Sequence, residues 1–233
     1  MNDKKLAWIR WALPLVFLII GIVVFASLAE DVVHHEELST LDPILGNVII
    51  THSSTGGDRV ASMITFWGNG LVITVGTVLL SLWLSRSKRW NQVIFLDTAV
   101  GGAGILNLLL KQVFVRPRPA YPHTYLTETG FSFPSGHAML SVAFFGAVAY
   151  LSYAYLKSFR MKLLVTIAAL VISGLIGYSR LYLGVHYLSD VLAGWAAGGF
   201  WLAVCIFVDQ LYIQLKKPRK RPYSDSRSLR QQA

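Results

Sequence analysis

Residues 92–119 read QVIFLDTAVGGAGILNLLLKQVFVRPRP. Positions 92–115 form one apolar block of membrane-crossing length, and it stops abruptly at Arg116-Pro117-Arg118-Pro119. About 20 mostly apolar residues are enough for a helix to cross a bilayer. The prolines end that helix and stiffen the chain beyond it. Lys111 stands one turn before the end, so Lys111 and Arg118 can face one pocket. A cation held within a membrane protein is costly and usually marks function. A lysine snorkelling to the interface is the plainer alternative for Lys111 alone.

Five other blocks repeat the pattern. The expected spans are 8–29, 68–85, 92–115, 136–156, 162–179 and 187–212. Hydrophobic residues make up 54% of the 233-residue chain and charged residues 14%, against about 45–50% and about 25% in an ordinary soluble domain. Lipid offers the backbone no hydrogen-bond partners, so each span is expected to be helical. The fold class is therefore all-α: a polytopic bundle of six transmembrane helices. Residues 1–215 are expected to form the membrane domain and residues 216–233 a basic cytoplasmic tail. The first 29 residues resemble a signal peptide, but the apolar stretch is long and an uncleaved anchor is expected.

The net charge of +9 invites a nucleic-acid reading. Its distribution argues against one. Lys4, Lys5, Arg10, Arg86, Lys88, Arg89, Lys157, Arg160, Lys162 and the seven basic residues from Lys216 to Arg230 fall on one side of the six-span layout. Arg59, Lys111, Arg116, Arg118 and Arg180 fall on the other. The positive-inside rule then places both termini in the cytoplasm, in a multi-pass protein of the cell membrane. The partners implied are membrane lipids, with no nucleic acid.

Residues 30–67 form the longest stretch outside the spans and are expected to lie at the outer interface. Asp42-Pro43 reads as a helix start, N-cap then proline. Ile44, Leu45, Val48 and Ile49 follow on one face, as in an interfacial helix. Thr55-Gly56-Gly57-Asp58 is expected to break it. His34-His35-Glu36-Glu37 lacks the spacing of a metal site and reads as a solvated acidic patch. Cys205 has no partner for an intrachain disulfide. Paired glycines such as Gly194 and Gly198 suit close helix packing.

Two further motifs lie at outer ends of spans. Pro134-Ser135-Gly136-His137 opens the fourth. Ser135 reads as an N-cap. The same geometry offers free N–H groups to an anion, with glycine permitting close approach and His137 placed to donate a proton. The third motif is Ser179-Arg180, then His186 and Asp190. At a spacing of four, His186 and Asp190 share one helix face, so the carboxylate can hold one imidazole N–H and free the other nitrogen to attack. Arg180 adds a planar fork suited to phosphate oxygens. Each signal alone has a capping or interfacial explanation. Together they fall on one outer face, and the set suits phosphoryl transfer at a membrane surface.

These motifs resemble the signature of the type 2 phosphatidic acid phosphatase superfamily. Lys111, Arg118 and Pro119, then Pro134 to His137, then Ser179, Arg180, His186 and Asp190 match it without departure, over the region 111–190. The resemblance implies metal-independent dephosphorylation through a phosphohistidine, with no cofactor and no metal. It implies His186 as nucleophile, Asp190 as its orienting partner and His137 as acid, then base. Lys111, Arg118, Ser135, Gly136 and Arg180 would hold the phosphate. The substrate implied is a phosphorylated lipid, phosphatidylglycerophosphate first and undecaprenyl diphosphate second, hydrolysed at the outer interface. The alternatives are a phosphatase or phosphotransferase for a non-lipid ester, and a non-catalytic binder of lipid phosphates. The second of these would not need both histidines.

Overall fold

The structure, a computed structural model, describes residues 3–121, 126 and 128–216. The expected tail lies outside the described residues, apart from Lys216. Eight helices follow in order: α1 (Asp3–His34), α2 (Glu37–Thr51), α3 (Thr55–Phe66), α4 (Gly70–Arg86), α5 (Trp90–Phe114), α6 (Gly136–Ser152), α7 (Phe159–Tyr182) and α8 (Leu188–Leu215). No strand occurs among the described residues.

Five segments are long and apolar enough to cross a membrane: Pro14–His34, Thr55–Arg86, Trp90–Phe114, Phe159–Tyr182 and Leu188–Leu215. The sixth expected span is the shorter apolar helix α6. It ends four residues earlier than expected, because the chain turns where the amides of Tyr155 and Leu156 both bond to the Ser152 carbonyl. Its 17 residues give a helix of about 26 Å. It needs no greater length, since α4, α5, α7 and α8 all pack around it.

The packing inverts the soluble pattern. Large apolar side chains such as Phe17, Ile20, Val23, Leu164 and Leu170 face outward, while Ala99, Ala103, Ala138, Ala143, Ala147, Ala193 and Ala197 fill the centre. Lipid tails are as apolar as leucine, so helices associate through close contact between small residues. Gly194 and Gly198 serve that contact. A Cβ on Gly194 would lie 2.6 Å from the Ser135 carbonyl oxygen, and one on Gly198 2.6 Å from that of Met139. Both therefore seat α8 against α6, inside the bundle.

The outer stretch 30–67 departs from expectation in two places. The helix expected to start at Asp42 starts at Glu37. The Asp31 carboxylate reaches from α1 to the amides of Leu38 and Ser39, at 3.0 and 2.7 Å, and caps α2 from a distance. Asp42 thus lies within α2 and is buried, while Ile44, Leu45 and Val48 are exposed. The expected break at Thr55–Asp58 is instead the first turn of α3. There the Ser54 hydroxyl accepts from the Gly57 amide, and the actual break is at residues 52–54.

Candidate active site

The end of α5, the start of α6, the end of α7 and the start of α8 converge on one end of the bundle. They carry the three motifs. Lys111, Arg118, Ser135, Gly136, His137, Arg180, His186 and Asp190 all lie in this region.

His186 precedes α8 by two residues, so it does not share a helix face with Asp190 as the spacing suggested. A capping box brings the pair together. Asp190 is the third residue of α8, and its Oδ2 reaches back to accept the Tyr187 amide at 2.9 Å. The same oxygen lies 3.2 Å from His186 Nδ1. On the other side of the ring, Arg118 Nη1 stands 3.2 Å from His186 Nε2. A guanidinium can only donate. Nε2 must therefore be the acceptor, which places the ring proton on Nδ1, facing Asp190. The imidazole is 2% exposed, and burial pushes its pKa down to about 4. At neutral pH it is uncharged, with its Nε2 lone pair directed into the site.

Asp190 is fully buried, and its other oxygen, Oδ1, accepts from Arg116 Nη1 at 2.6 Å. Arg116 Nη2 bonds Asp42 Oδ2 at 2.9 Å, and its guanidinium lies over the Tyr187 ring, 4.3 Å from the centroid. Asp42 also accepts from the Ser189 amide at 3.1 Å and from the Ser189 hydroxyl. Burial opposes the charge on Arg116, but the two carboxylates outweigh it and raise its pKa. Neither Arg116 nor Asp42 stood out in the sequence. Arg116 lies outside the motif spacing, and Asp42 resembled a cap.

The phosphate-binding candidates divide into those already engaged and those left open. The Lys111 ammonium donates to the Phe131 carbonyl and, at 3.3 Å, to that of Ser132, so it clamps the loop before α6. Arg118 also donates to the carbonyls of Gly130 and Val185, at 3.1 and 2.9 Å. Ser135 is the N-cap of α6, yet its hydroxyl makes no capping bond. Ser135 Oγ and Arg180 Nε are buried without hydrogen-bond partners among the described residues. Such groups are rare in native structures and call for an explanation. Gly136 meets a need the sequence did not show. A Cβ there would lie 2.9 Å from Asn107 Oδ1, and Asn107 Nδ2 donates to the Pro134 carbonyl at 3.2 Å. His137, in the first turn of α6, is within electrostatic reach of His186, Arg118 and Arg180. Among the described residues no group of His, Cys, Asp or Glu is arranged to hold a metal ion.

One acidic residue stands among these cations. Glu128 bonds Arg180 through Oε1 and Arg118, at 3.1 Å, through Oε2. Arg180 also donates to Thr65 Oγ1 at 2.7 Å. Burial alone would raise the Glu128 carboxyl, but Arg180 and then Arg118 outweigh it and hold it below the usual range. Its two oxygens each hold one guanidinium nitrogen, Arg180 Nη2 and Arg118 Nη1. No local pattern in the sequence identifies such a residue.

The chain matches the PAP2 superfamily model over residues 92–212. It is 29% identical over 185 residues to phosphatidylglycerophosphatase B of Bacillus subtilis strain 168, covering 77% of this chain and 88% of that one. It is 30% identical over 182 residues to the undecaprenyl-diphosphatase BcrC of the same strain, covering 76% and 83%. The crystal structure of the transmembrane PAP2 type phosphatidylglycerolphosphate phosphatase from Bacillus subtilis superposes with a TM-score of 0.71 at 26% identity. That alignment covers 89% of this chain and 98% of the other.

An oxyanion must displace Glu128 to take Arg118 Nη1 and Arg180 Nη2, the two nitrogens it holds. Glu128→Gln keeps the shape and removes the competing charge, so orthovanadate should bind the variant roughly tenfold more tightly than wild type, the scale of one charge-assisted contact. Isothermal titration of both proteins in detergent measures this. Equal or weaker binding by the variant would show that the carboxylate does not compete.

Proposed function

Because this chain belongs to the PAP2 superfamily, as an integral-membrane lipid phosphatase, we propose that it hydrolyses a lipid phosphate at the membrane–water interface through a phosphohistidine on His186. Phosphatidylglycerophosphate is the first candidate and undecaprenyl diphosphate the second. The observation that carries the reading is His186, with Nδ1–H on Asp190 and the unprotonated Nε2 facing the same Arg118 Nη1 that Glu128 also holds. A non-catalytic binder needs the cations but not this tautomer.

The proposed reaction has two displacements. In the first, the substrate phosphate takes Arg118 and Arg180 from Glu128, and the Arg118 fork leaves Nε2. The Nε2 lone pair attacks phosphorus, and a nitrogen–phosphorus bond forms as the bond to the lipid oxygen breaks. His137, entering as the protonated acid, gives its proton to that oxygen. In the second, a water attacks phosphorus and gives its proton to His137. The nitrogen–phosphorus bond breaks, and phosphate leaves. Asp190 stays ionised and holds Nδ1–H throughout, stabilising the positive ring of the intermediate. Arg118, Arg180, Lys111, Ser135 Oγ and the α6 N-terminus neutralise charge on the phosphoryl oxygens, the role a metal fills elsewhere.

This chemistry predicts phosphate release from detergent-dispersed lipids with EDTA present. A poor alkoxide leaving group needs protonation more than a departing phosphate does. His137→Ala should therefore slow phosphatidylglycerophosphate hydrolysis by a larger factor than undecaprenyl diphosphate hydrolysis. General acid catalysis typically contributes about 10²–10⁴-fold, so the difference is measurable. A panel of these two lipids with phosphatidic acid and diacylglycerol pyrophosphate tests the reading. Release that stops in EDTA and returns with Mg²⁺ contradicts it, as does activity confined to soluble esters.

The proposed orientation puts both termini and the tail 216–233 in the cytoplasm and the catalytic ring outside. It is supported by the concentration of basic residues on the Arg86–Lys88–Arg89 side. In a variant lacking Cys205, a cysteine at position 88 should resist an impermeant thiol reagent applied to intact cells, and one at position 120 should react. The opposite labelling would invert the orientation.

A further inference from the structure

The end of the bundle remote from the catalytic ring contains a half-open cavity of about 870 Å³. It lies between the α4–α5 turn, the end of α6, the start of α7 and the end of α8. Asp190 at the catalytic end and Asp209 in this cavity are on one helix. At 1.5 Å per residue they are about 28 Å apart, close to the ~30 Å hydrocarbon thickness of a bilayer. The cavity therefore sits at the opposite headgroup layer, and none of the motif residues reaches it.

Its lining falls into two kinds of group. Lys88, Arg89 and Lys162 supply positive charge. Arg89 is held over the Tyr155 ring at 4.5 Å and donates to the Tyr155 hydroxyl. Lys162 lies 5.7 Å from the Tyr153 centroid, while Lys88 is exposed at the mouth. The α8 wall carries acceptors. Asp209 accepts the Tyr150 phenol at 2.7 Å and, among the described residues, pairs with no cation. Gln210 is 9% exposed, and its Oε1 is buried without a hydrogen-bond partner among the described residues. The cations ask for anionic oxygens; Asp209 and Gln210 Oε1 ask for donors. Trp90, Leu151 and Ile213 make the remaining wall apolar.

One ligand class brings all three features: a phosphodiester headgroup with a donor-bearing end, carried on acyl chains. We propose that this cavity is a second, non-catalytic site for such a phospholipid headgroup, taken from the leaflet opposite the catalytic ring. The phosphodiester lies against Lys88, Arg89 and Lys162. An ammonium or hydroxyl group donates to Asp209 and to Gln210 Oε1. Basic pockets between transmembrane helices bind headgroups by this physics. The inference rests on the membrane-spanning fold and not on which lipid phosphate is hydrolysed.

The test is native mass spectrometry of the full chain with dioleoyl phosphatidylethanolamine and dioleoyl phosphatidylcholine. The two have the same net charge, and only the first has an ammonium donor. Neither is a phosphate monoester. Wild type should retain the ethanolamine lipid in preference. The double variant K88A/K162A should bind either lipid about thirtyfold more weakly, the scale of two interfacial charges. Asp209→Asn should erase the preference while keeping most of the affinity. All these positions are remote from the catalytic ring, so vanadate binding should be unchanged and serves as the control for folding. Equal retention of lipid by wild type and K88A/K162A would overturn the proposal. Displacement of bound lipid by acyl-free glycerophosphoethanolamine at matching concentration would overturn its lipid source, leaving a soluble phosphodiester as ligand.

Discussion

The buried carboxylate of Asp190 is the constraint on which the rest of the site depends. An ionised carboxylate away from water must have its oxygens satisfied or it will not stay ionised. Here Oδ1 takes Arg116, and Oδ2 takes both the Tyr187 amide and His186 Nδ1–H. Its backbone carbonyl accepts the Ser135 amide at 2.9 Å. One residue thereby fixes the imidazole tautomer, starts α8, and anchors the segment that opens α6. Arg116 carries the constraint outward to Asp42, so that α2 is tied to the catalytic end. Breaking such a buried network by removing one partner costs about 3–5 kcal/mol. The network therefore holds the fold together as well as the candidate site.

The charge balance follows from the same requirement. Lys111, Arg116, Arg118 and Arg180 face Asp42, Glu128 and Asp190 at this end of the bundle. Asp42 and Asp190 serve Arg116, and loop carbonyls serve Lys111. Arg118 and Arg180 share Glu128, a residue on the connecting segment and not on a helix. Two arginines so placed would repel each other without an anion between them, and in the proposed cycle Glu128 and phosphate alternate in that role. Preorganised cations in a water-poor site contribute more than they would in water, because the surroundings need not reorient as charge develops.

The spans and motif ends were legible because both are local: apolar length, proline stops and glycine pairs follow from neighbouring residues. The seating of Gly194 and Gly198 against α6 agrees with the small-residue reading. What escaped was contact across long separations. Asp42 looked like an N-cap because Asp-Pro is a common helix start, while the true cap of α2 comes from Asp31 on another helix. Arg116 and Glu128 gain their roles only from partners far away in the chain, and no periodicity marks them. Ser135 shows a subtler limit. Its position as N-cap was readable, but only the structure shows that its hydroxyl makes no cap bond and is left open.

The account's central claim is that a phosphoryl group passes through His186 Nε2. Rapid quenching of the enzyme during turnover of ³²P-labelled phosphatidylglycerophosphate, followed by peptide mapping, tests it directly. The account predicts label that survives alkali, is lost in acid, maps to the peptide containing His186, and is absent from His186→Ala. Label trapped on another residue, or normal turnover by His186→Ala, would contradict it.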